Sequence, residues 1–260
     1  MSEPIPKKSL GQHWLRDAAT LQVIVDAAEL KPSDTVLEIG PGLGTLTELL
    51  VKQAGHVTAV EFDAVLAKEL PKKVKASNLE IIQQDILSFD LTHLPPDYKV
   101  VANIPYYLTS NLIRVLSESS NPPRVAVLLI QKEVAERVAA EPGAMSLLSV
   151  TAQFYWEVGL GQLVPADLFE PPPKVDSQIL ILKFRSQPLF EDIDPKDFFR
   201  LMKAGFAQRR KTLLNSLSAG LHIDKDQVKS ICKSVEIDPS RRAQTLSLDD
   251  WHNLYLSYNT

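Results

Sequence analysis

Cysteine is almost missing from the chain: Cys232 is the single thiol in 260 residues. One cysteine closes no intramolecular disulfide and builds no thiolate zinc cluster, which fits a reducing compartment. In Ser230-Ile231-Cys232-Lys233 it is expected to pack on a helix rather than to react. The five histidines (His13, His56, His93, His222 and His252) are scattered without an H-x-x-x-H pair, so the pattern calls for no metal. Long hydrophobic runs are lacking too. The longest uncharged aliphatic stretch, Val125–Ile130, has six residues, where a membrane-spanning helix needs about 20. The first residues, with Glu3, two prolines and Lys7-Lys8, lack the apolar segment of a signal peptide, and a cytoplasmic setting is expected.

What is present has the balance of a globular chain. Hydrophobic residues make up 45% and charged residues 23%, which excludes global disorder. At about 100–200 residues per domain, the length allows one large domain, or a large one with a small one. Short β-branched runs occur at Thr35–Ile39, Val57–Glu61, Leu79–Gln83, Lys99–Ala102 and Val125–Ile130. Helical spacing fills Thr45–Ala54, Asp63–Ala76, Ser110–Glu118 and Lys132–Ala140 between them. Nearly continuous apolar strands between helices predict an α/β fold, a parallel sheet covered on both faces. Asp17 is placed to cap a helix over Ala18–Leu30. Later strands are expected at Tyr155–Leu160 and Gln178–Phe184, separated by Pro165–Lys174, a loop stiffened by four prolines.

Beyond Pro188 the pattern turns helical. Asp194-Pro195 starts one helix, and others fit Lys211–Ala219, Lys225–Ser234 and Ser247–Tyr255. A boundary near residue 188 therefore separates a domain over 1–188 from a small all-helical domain over 189–260. Residues 201–260 carry nine Lys and Arg against six Asp and Glu, whereas the rest carries 19 against 26. A basic tail on an acidic body points to an anionic partner read by the tail.

Only ten glycines occur, and three fall in Glu38-Ile39-Gly40-Pro41-Gly42-Leu43-Gly44, directly after the first long strand. Glycine there lets the backbone approach a ligand, at the sheet end where α/β folds bind nucleotides. Glu61 ends the next strand, where a carboxylate accepts hydrogen bonds from both ribose hydroxyls. The spacing is G-x-G-x-G rather than the dinucleotide G-x-G-x-x-G, with Thr45 in the third slot. Glu38 before the turn and a proline inside it suit a zwitterionic amino-acid moiety better than a pyrophosphate. The pattern resembles the first motif of S-adenosylmethionine-dependent methyltransferases. Asp85, after the third strand, is in register to accept from an adenine amino group.

Asn103-Ile104-Pro105-Tyr106 closes the fourth strand. It resembles the tetrapeptide of methyltransferases acting on planar amino groups, in the form used on N6 of adenine in RNA. An exocyclic adenine amine is a poor nucleophile because its lone pair is delocalised into the ring. Acceptors at its N–H groups, the Asn103 side-chain oxygen and the Pro105 carbonyl, favour a pyramidal nitrogen and aim the lone pair. Tyr106 offers a ring to stack on the extruded base. Rate then comes from alignment and electrostatic pre-organisation rather than from a strong general base.

The resemblance covers nearly the whole chain. The sequence is similar to the small-subunit ribosomal RNA adenine dimethyltransferases, which form N6,N6-dimethyladenosine on two adjacent adenines near the 3′ end of the small rRNA. Lys8-Ser9-Leu10-Gly11-Gln12-His13-Trp14-Leu15 matches the family's amino-terminal motif, with Trp14 for phenylalanine. The resemblance implies that His13, Leu15, Gly40, Gly42, Glu61, Asp85 and Asn103 contact S-adenosylmethionine. It also implies that Phe169, in Phe169-Glu170-Pro171-Pro172-Pro173-Lys174-Val175-Asp176-Ser177, closes the other face of the base opposite Tyr106. Arg209, Arg210 and Lys211 match the family's basic segment, which implies salt-sensitive phosphate contacts. The implied partner is small-subunit rRNA or its precursor particle, bound by a monomer away from membranes.

Two departures lie outside this chemistry. Gln244 stands where the family often has glutamate, and Ala144-Met145-Ser146-Leu147 replaces the more usual Lys-x-Tyr-Gly. Two other readings remain at this point: a macrolide-resistance methylase acting on large-subunit rRNA, and an RNA-binding assembly factor with little catalysis.

Overall fold

The structure is a computed structural model describing residues 4, 6, 7 and 10–259; Lys8 and Ser9 of the amino-terminal motif lie outside the described residues. The chain begins with β1 (Trp14–Leu15), α1 (Ala18–Ala27), β2 (Thr35–Ile39), α2 (Thr47–Gln53), β3 (His56–Glu61), α3 (Ala64–Lys73) and β4 (Leu79–Gln83). It continues through β5 (Lys99–Asn103), α4 (Thr109–Glu118), β6 (Val125–Gln131), α5 (Lys132–Val138) and α6 (Leu147–Tyr155). Next come β7 (Trp156–Val164), β8 (Phe169–Glu170) and β9 (Ser177–Phe184). Four helices follow: α7 (Pro195–Phe206), α8 (Leu213–Leu221), α9 (Lys225–Ser234) and α10 (Leu248–Asn259).

Local chemistry explains several helix starts. The Asp17 carboxylate accepts the Thr20 N–H at the start of α1, as its position predicts. Asp63 caps α3 through the Val65 N–H, and Asp194 caps α7 with Pro195 at the first helical position. Cys232 is fully buried on α9, the packing role expected of it.

Seven strands form one sheet in the order β4-β3-β2-β5-β6-β9-β7. The five from β4 to β6 run parallel, as the apolar strand pattern predicts. β9 and β7, for which the pattern predicts strands but no direction, run antiparallel. Only the proline-rich segment links these two, and an antiparallel pair needs no crossover helix. The order reverses at β2: the chain builds outward through β3 and β4, then returns to β2's other side with β5. The crevice beyond the carboxyl ends of β2 and β5 is therefore the switch point at which such sheets bind ligands. A second, two-stranded sheet pairs β1 with β8, Leu15 opposite Phe169.

The chain forms two compact units, residues 1–136 with 156–184 and residues 137–155 with 185–260. The first is centred on the sheet, where Val36, Val57, Val101, Val127 and Ile179 are fully buried. Its buried Lys99 is not left unpaired: Nζ donates to the Ala28 and Glu29 carbonyls and pairs with Asp34 at 2.9 Å. In the second unit Met145, Val150 and Phe154 pack with Phe198, Leu201 and Trp251. That packing places residues 137–155 in the second unit, where the sequence pattern drew one boundary near 188. The two departures from the family pattern meet there. The Gly143 and Met145 N–H groups donate to the Gln244 carbonyl, and the Gln244 amide donates back to the Gly143 carbonyl. Among the described residues, no helix is long and apolar enough to cross a membrane.

The second unit rests on a close helix contact. A Cβ at Gly205 of α7 would overlap the fully buried Trp251 indole of α10. Gly205→Ala is expected to cost about 1–3 kcal/mol, as overpacked cores do. Thermal unfolding reads this as a lowered midpoint; an unchanged midpoint would show that the two helices slide apart freely.

Candidate active site

The turn after β2 is built from backbone that only glycine adopts readily. Gly40 has φ +65° and Gly42 φ +58°. Among the described residues nothing lies within 4 Å of where a Gly40 Cβ would sit, so the backbone there faces open space. A Gly42 Cβ would come to 2.8 Å from the Trp14 ring, which packs on that turn. The Thr45 hydroxyl donates to the Leu15 carbonyl at 3.1 Å, tying β1 to the same turn.

Glu61 holds this arrangement from the end of β3. Its Oε2 accepts the Gly42 N–H at 3.1 Å, and its Oε1 accepts the Asp63 N–H at 2.8 Å. Burial pushes its pKa up, and these two backbone bonds pull it back. Glu38, on β2, is buried more deeply and is held less. Among the described residues neither carboxyl oxygen completes a hydrogen bond, nor does the neighbouring Thr47 hydroxyl. Burial pushes Glu38 up to about 8, with Thr47 opposing the rise and the Glu61 charge adding to it.

The tetrapeptide leaves β5 beside this turn. Asn103 is half-buried, and its amide makes no hydrogen bond among the described residues. The Pro105 carbonyl accepts the Leu108 N–H at 3.0 Å, which leaves its second lone pair. Tyr106 begins a 3-10 turn, Tyr106–Leu108, and its hydroxyl lies 2.8 Å from Ser177 Oγ. The His13 ring is near-parallel to the Tyr106 ring at 21°, and its Nδ1 is 2.6 Å from the Pro171 carbonyl. Asp85 is exposed, with one oxygen capping the turn after β4 through the Leu87 N–H.

One cavity of about 230 Å³ gathers these groups. His13, Leu15, Gly40, Gly42, Glu61 and Asp85 line it, and so do Asn103, Pro105, Tyr106 and Phe169. Phe169 is 4% exposed and packs in the core with Leu15 and Leu21, so in this state its ring is a wall of the cavity. Arg209, Arg210 and Lys211 belong to the second unit, exposed in the loop between α7 and α8. Two exposed aromatics on the cavity rim, Phe62 and Tyr107, carry no motif signal beyond following Glu61 and Tyr106. Ser177 was legible only as the last letter of the proline-loop motif.

The Glu38 carboxyl has a consequence for stability. A raised pKa means the folded chain keeps a proton that the unfolded chain has lost. Stability therefore falls as pH rises from the ordinary carboxylate range to about 8. Glu38→Gln removes that loss. Its melting midpoint is expected to gain on the wild type across that window and to hold level above it. A pH-independent gap would place the proton elsewhere.

Against known proteins, residues 6–260 match the family model described as ribosomal RNA adenine dimethylase. Curated relatives include the ribosomal RNA small subunit methyltransferase A of Dehalococcoides mccartyi (strain CBDB1). It is 44% identical, over 97% of this chain and 88% of its own length. The Bacillus cytotoxicus protein of the same name is 42% identical, over 94% and 88%. A solved dimethyladenosine transferase from Plasmodium falciparum has a TM-score of 0.79 at 29% identity, covering 95% of this chain and 98% of that one. The 23S rRNA methyltransferase ErmE gives 0.76 at 28%, over 95% and 100%. With a family match spanning almost every residue and relatives this similar over nearly their whole length, the chain belongs to the ribosomal RNA adenine dimethylases and is an S-adenosylmethionine-dependent methyltransferase.

Proposed function

We propose that the chain dimethylates N6 of two adjacent adenines near the 3′ end of small-subunit ribosomal RNA, acting as a monomer in the cytoplasm. The observation that carries this reading is Asn103, Pro105 and Tyr106 lining the same cavity as Gly40 and Glu61. Relatives named for the small subunit support the substrate at 44% and 42% identity. The large-subunit enzyme ErmE shares the fold at 28% identity, so sequence rather than shape favours the small subunit.

The residues present fit the cofactor. Glu61 and Asp85 bring carboxylates to the cavity, and among the described residues the two buried Glu38 oxygens have no partner. The space beside Gly40 admits a ligand against bare backbone. S-adenosylmethionine, when bound, supplies a methyl group on a positively charged sulfur. Glu61 would hold its ribose hydroxyls and Asp85 its adenine amine, with His13, Leu15 and the Gly40–Gly42 turn enclosing the rest.

The chain's own groups then prepare the nucleophile. The Asn103 oxygen and the free lone pair of the Pro105 carbonyl accept the two N–H groups of the target amine. Its lone pair thereby leaves the ring's conjugation and points along the line of transfer. Tyr106 stacks on the base and replaces the neighbours lost on extrusion. Phe169, a wall of the same cavity, closes the opposite face of the base. The methylated nitrogen is cationic and sheds its proton without a dedicated base. A second transfer needs the monomethylated amine to present its one remaining N–H in the same place.

Labelled methyl groups offered to under-methylated small subunits and to free large-subunit rRNA test the substrate. Label is expected as N6,N6-dimethyladenosine from the small subunit only; label on the large-subunit RNA alone would move the assignment. Asn103→Ala is expected to lower kcat by about 100-fold, the scale of losing one pre-organised hydrogen-bond partner of a transition state. Replacing Arg209, Arg210 and Lys211 by alanine should reduce the slope of log affinity against log salt by about 2–3. An unchanged slope would take that loop off the phosphates.

A further inference from the structure

The methyl-transfer chemistry above makes no use of Ser177, yet this hydroxyl holds the stacking ring. Ser177 opens β9, with its backbone in register with Gln131 of β6 on one side and Val164 of β7 on the other. It is fully buried, so its hydroxyl must find a partner inside the protein. That partner is the Tyr106 hydroxyl, 2.8 Å away and 71 residues distant in sequence. The anchoring atom therefore belongs to the interior of the sheet, and the restrained ring belongs to the turn at the cavity wall.

Two further contacts limit the same ring. The Thr109 hydroxyl donates to the Tyr106 carbonyl at 3.1 Å, which fixes the backbone from which the ring hangs. His13 stands near-parallel to the ring. Because a carbonyl only accepts, His13 Nδ1 carries the proton shared with the Pro171 carbonyl. Burial pushes the Tyr106 pKa up, so the phenol stays protonated and able to donate or accept.

A base entering the cavity stacks productively on a ring in one place only, and a ring whose tip is already anchored there loses less freedom at that moment. We propose that Ser177 is a positioning residue that anchors the tip of the Tyr106 ring, and so places the ring for the target adenine, through their shared hydrogen bond. The proposal rests on Tyr106 being the stacking residue.

A double-mutant cycle on the full chain separates the two claims, with kcat/KM measured on under-methylated small subunits and cofactor Kd measured separately. Ser177→Ala is expected to lower kcat/KM about five- to tenfold, the scale of one neutral hydrogen bond, with cofactor Kd unchanged. Tyr106→Phe removes the same bond from the other end without touching β9, and is expected to give a similar loss. In the Tyr106→Phe background, adding Ser177→Ala should change kcat/KM by less than about twofold, because linked partners are not additive. Equal losses from Ser177→Ala in both backgrounds, or a loss that falls on cofactor Kd, would overturn the role of Ser177 and leave the stacking reading intact. Tyr106→Ala with undiminished kcat/KM would remove the stacking reading itself. Should Ser177→Ala fail to fold, Tyr106→Phe alone decides: full activity overturns the proposal, and a loss of the stated size with cofactor Kd unchanged supports it.

Discussion

The cavity depends on a buried carboxylate shared between two strand ends. Glu61 takes one N–H from the glycine turn after β2 and one from the start of the turn after β3. Burying that group is costly on its own, and the two backbone bonds offset the cost. They also fix the separation of the β2 and β3 ends, beside the point where the strand order reverses. A residue expected to hold a ribose is thus already part of the frame. Its remaining acceptor capacity is presented in a fixed direction.

Around that frame the chain closes a ring of nonlocal contacts. β1 pairs with β8, Thr45 bonds to Leu15, and His13 bonds to Pro171. The amino-terminal motif, the glycine turn and the proline-rich loop are therefore one piece of wall rather than three appendages. Trp14 adds to this by filling the space above Gly42 that any side chain at that position would need. Lys7, paired with Asp63 at 2.6 Å, extends the same closure to the cap of α3.

The departures from the family pattern follow a similar logic in the second unit. Gln244 and the segment from Gly143 to Met145 lie about a hundred positions apart in sequence and bond to each other. Read singly, each is an unexplained exchange. Read together, the Gln244 side chain supplies an amide donor to the Gly143 carbonyl, which a glutamate has no N–H to make.

The sequence by itself determined the local elements and the segments that line the candidate site. Strands at Thr35–Ile39 and Leu79–Gln83 and the helix at Lys225–Ser234 stand where their periodicity puts them. The Asp17 cap, the glycine turn and the tetrapeptide were legible for the same reason: each is set by neighbours a few residues away. Only the tertiary structure decided the antiparallel β9 and β7, the two-residue strands β1 and β8, and the membership of residues 137–155 in the second unit. It alone left Glu38 without a partner among the described residues and brought Ser177 to Tyr106. Strand pairing, burial and side-chain contact depend on groups tens of residues apart, and no local pattern encodes which of them meet.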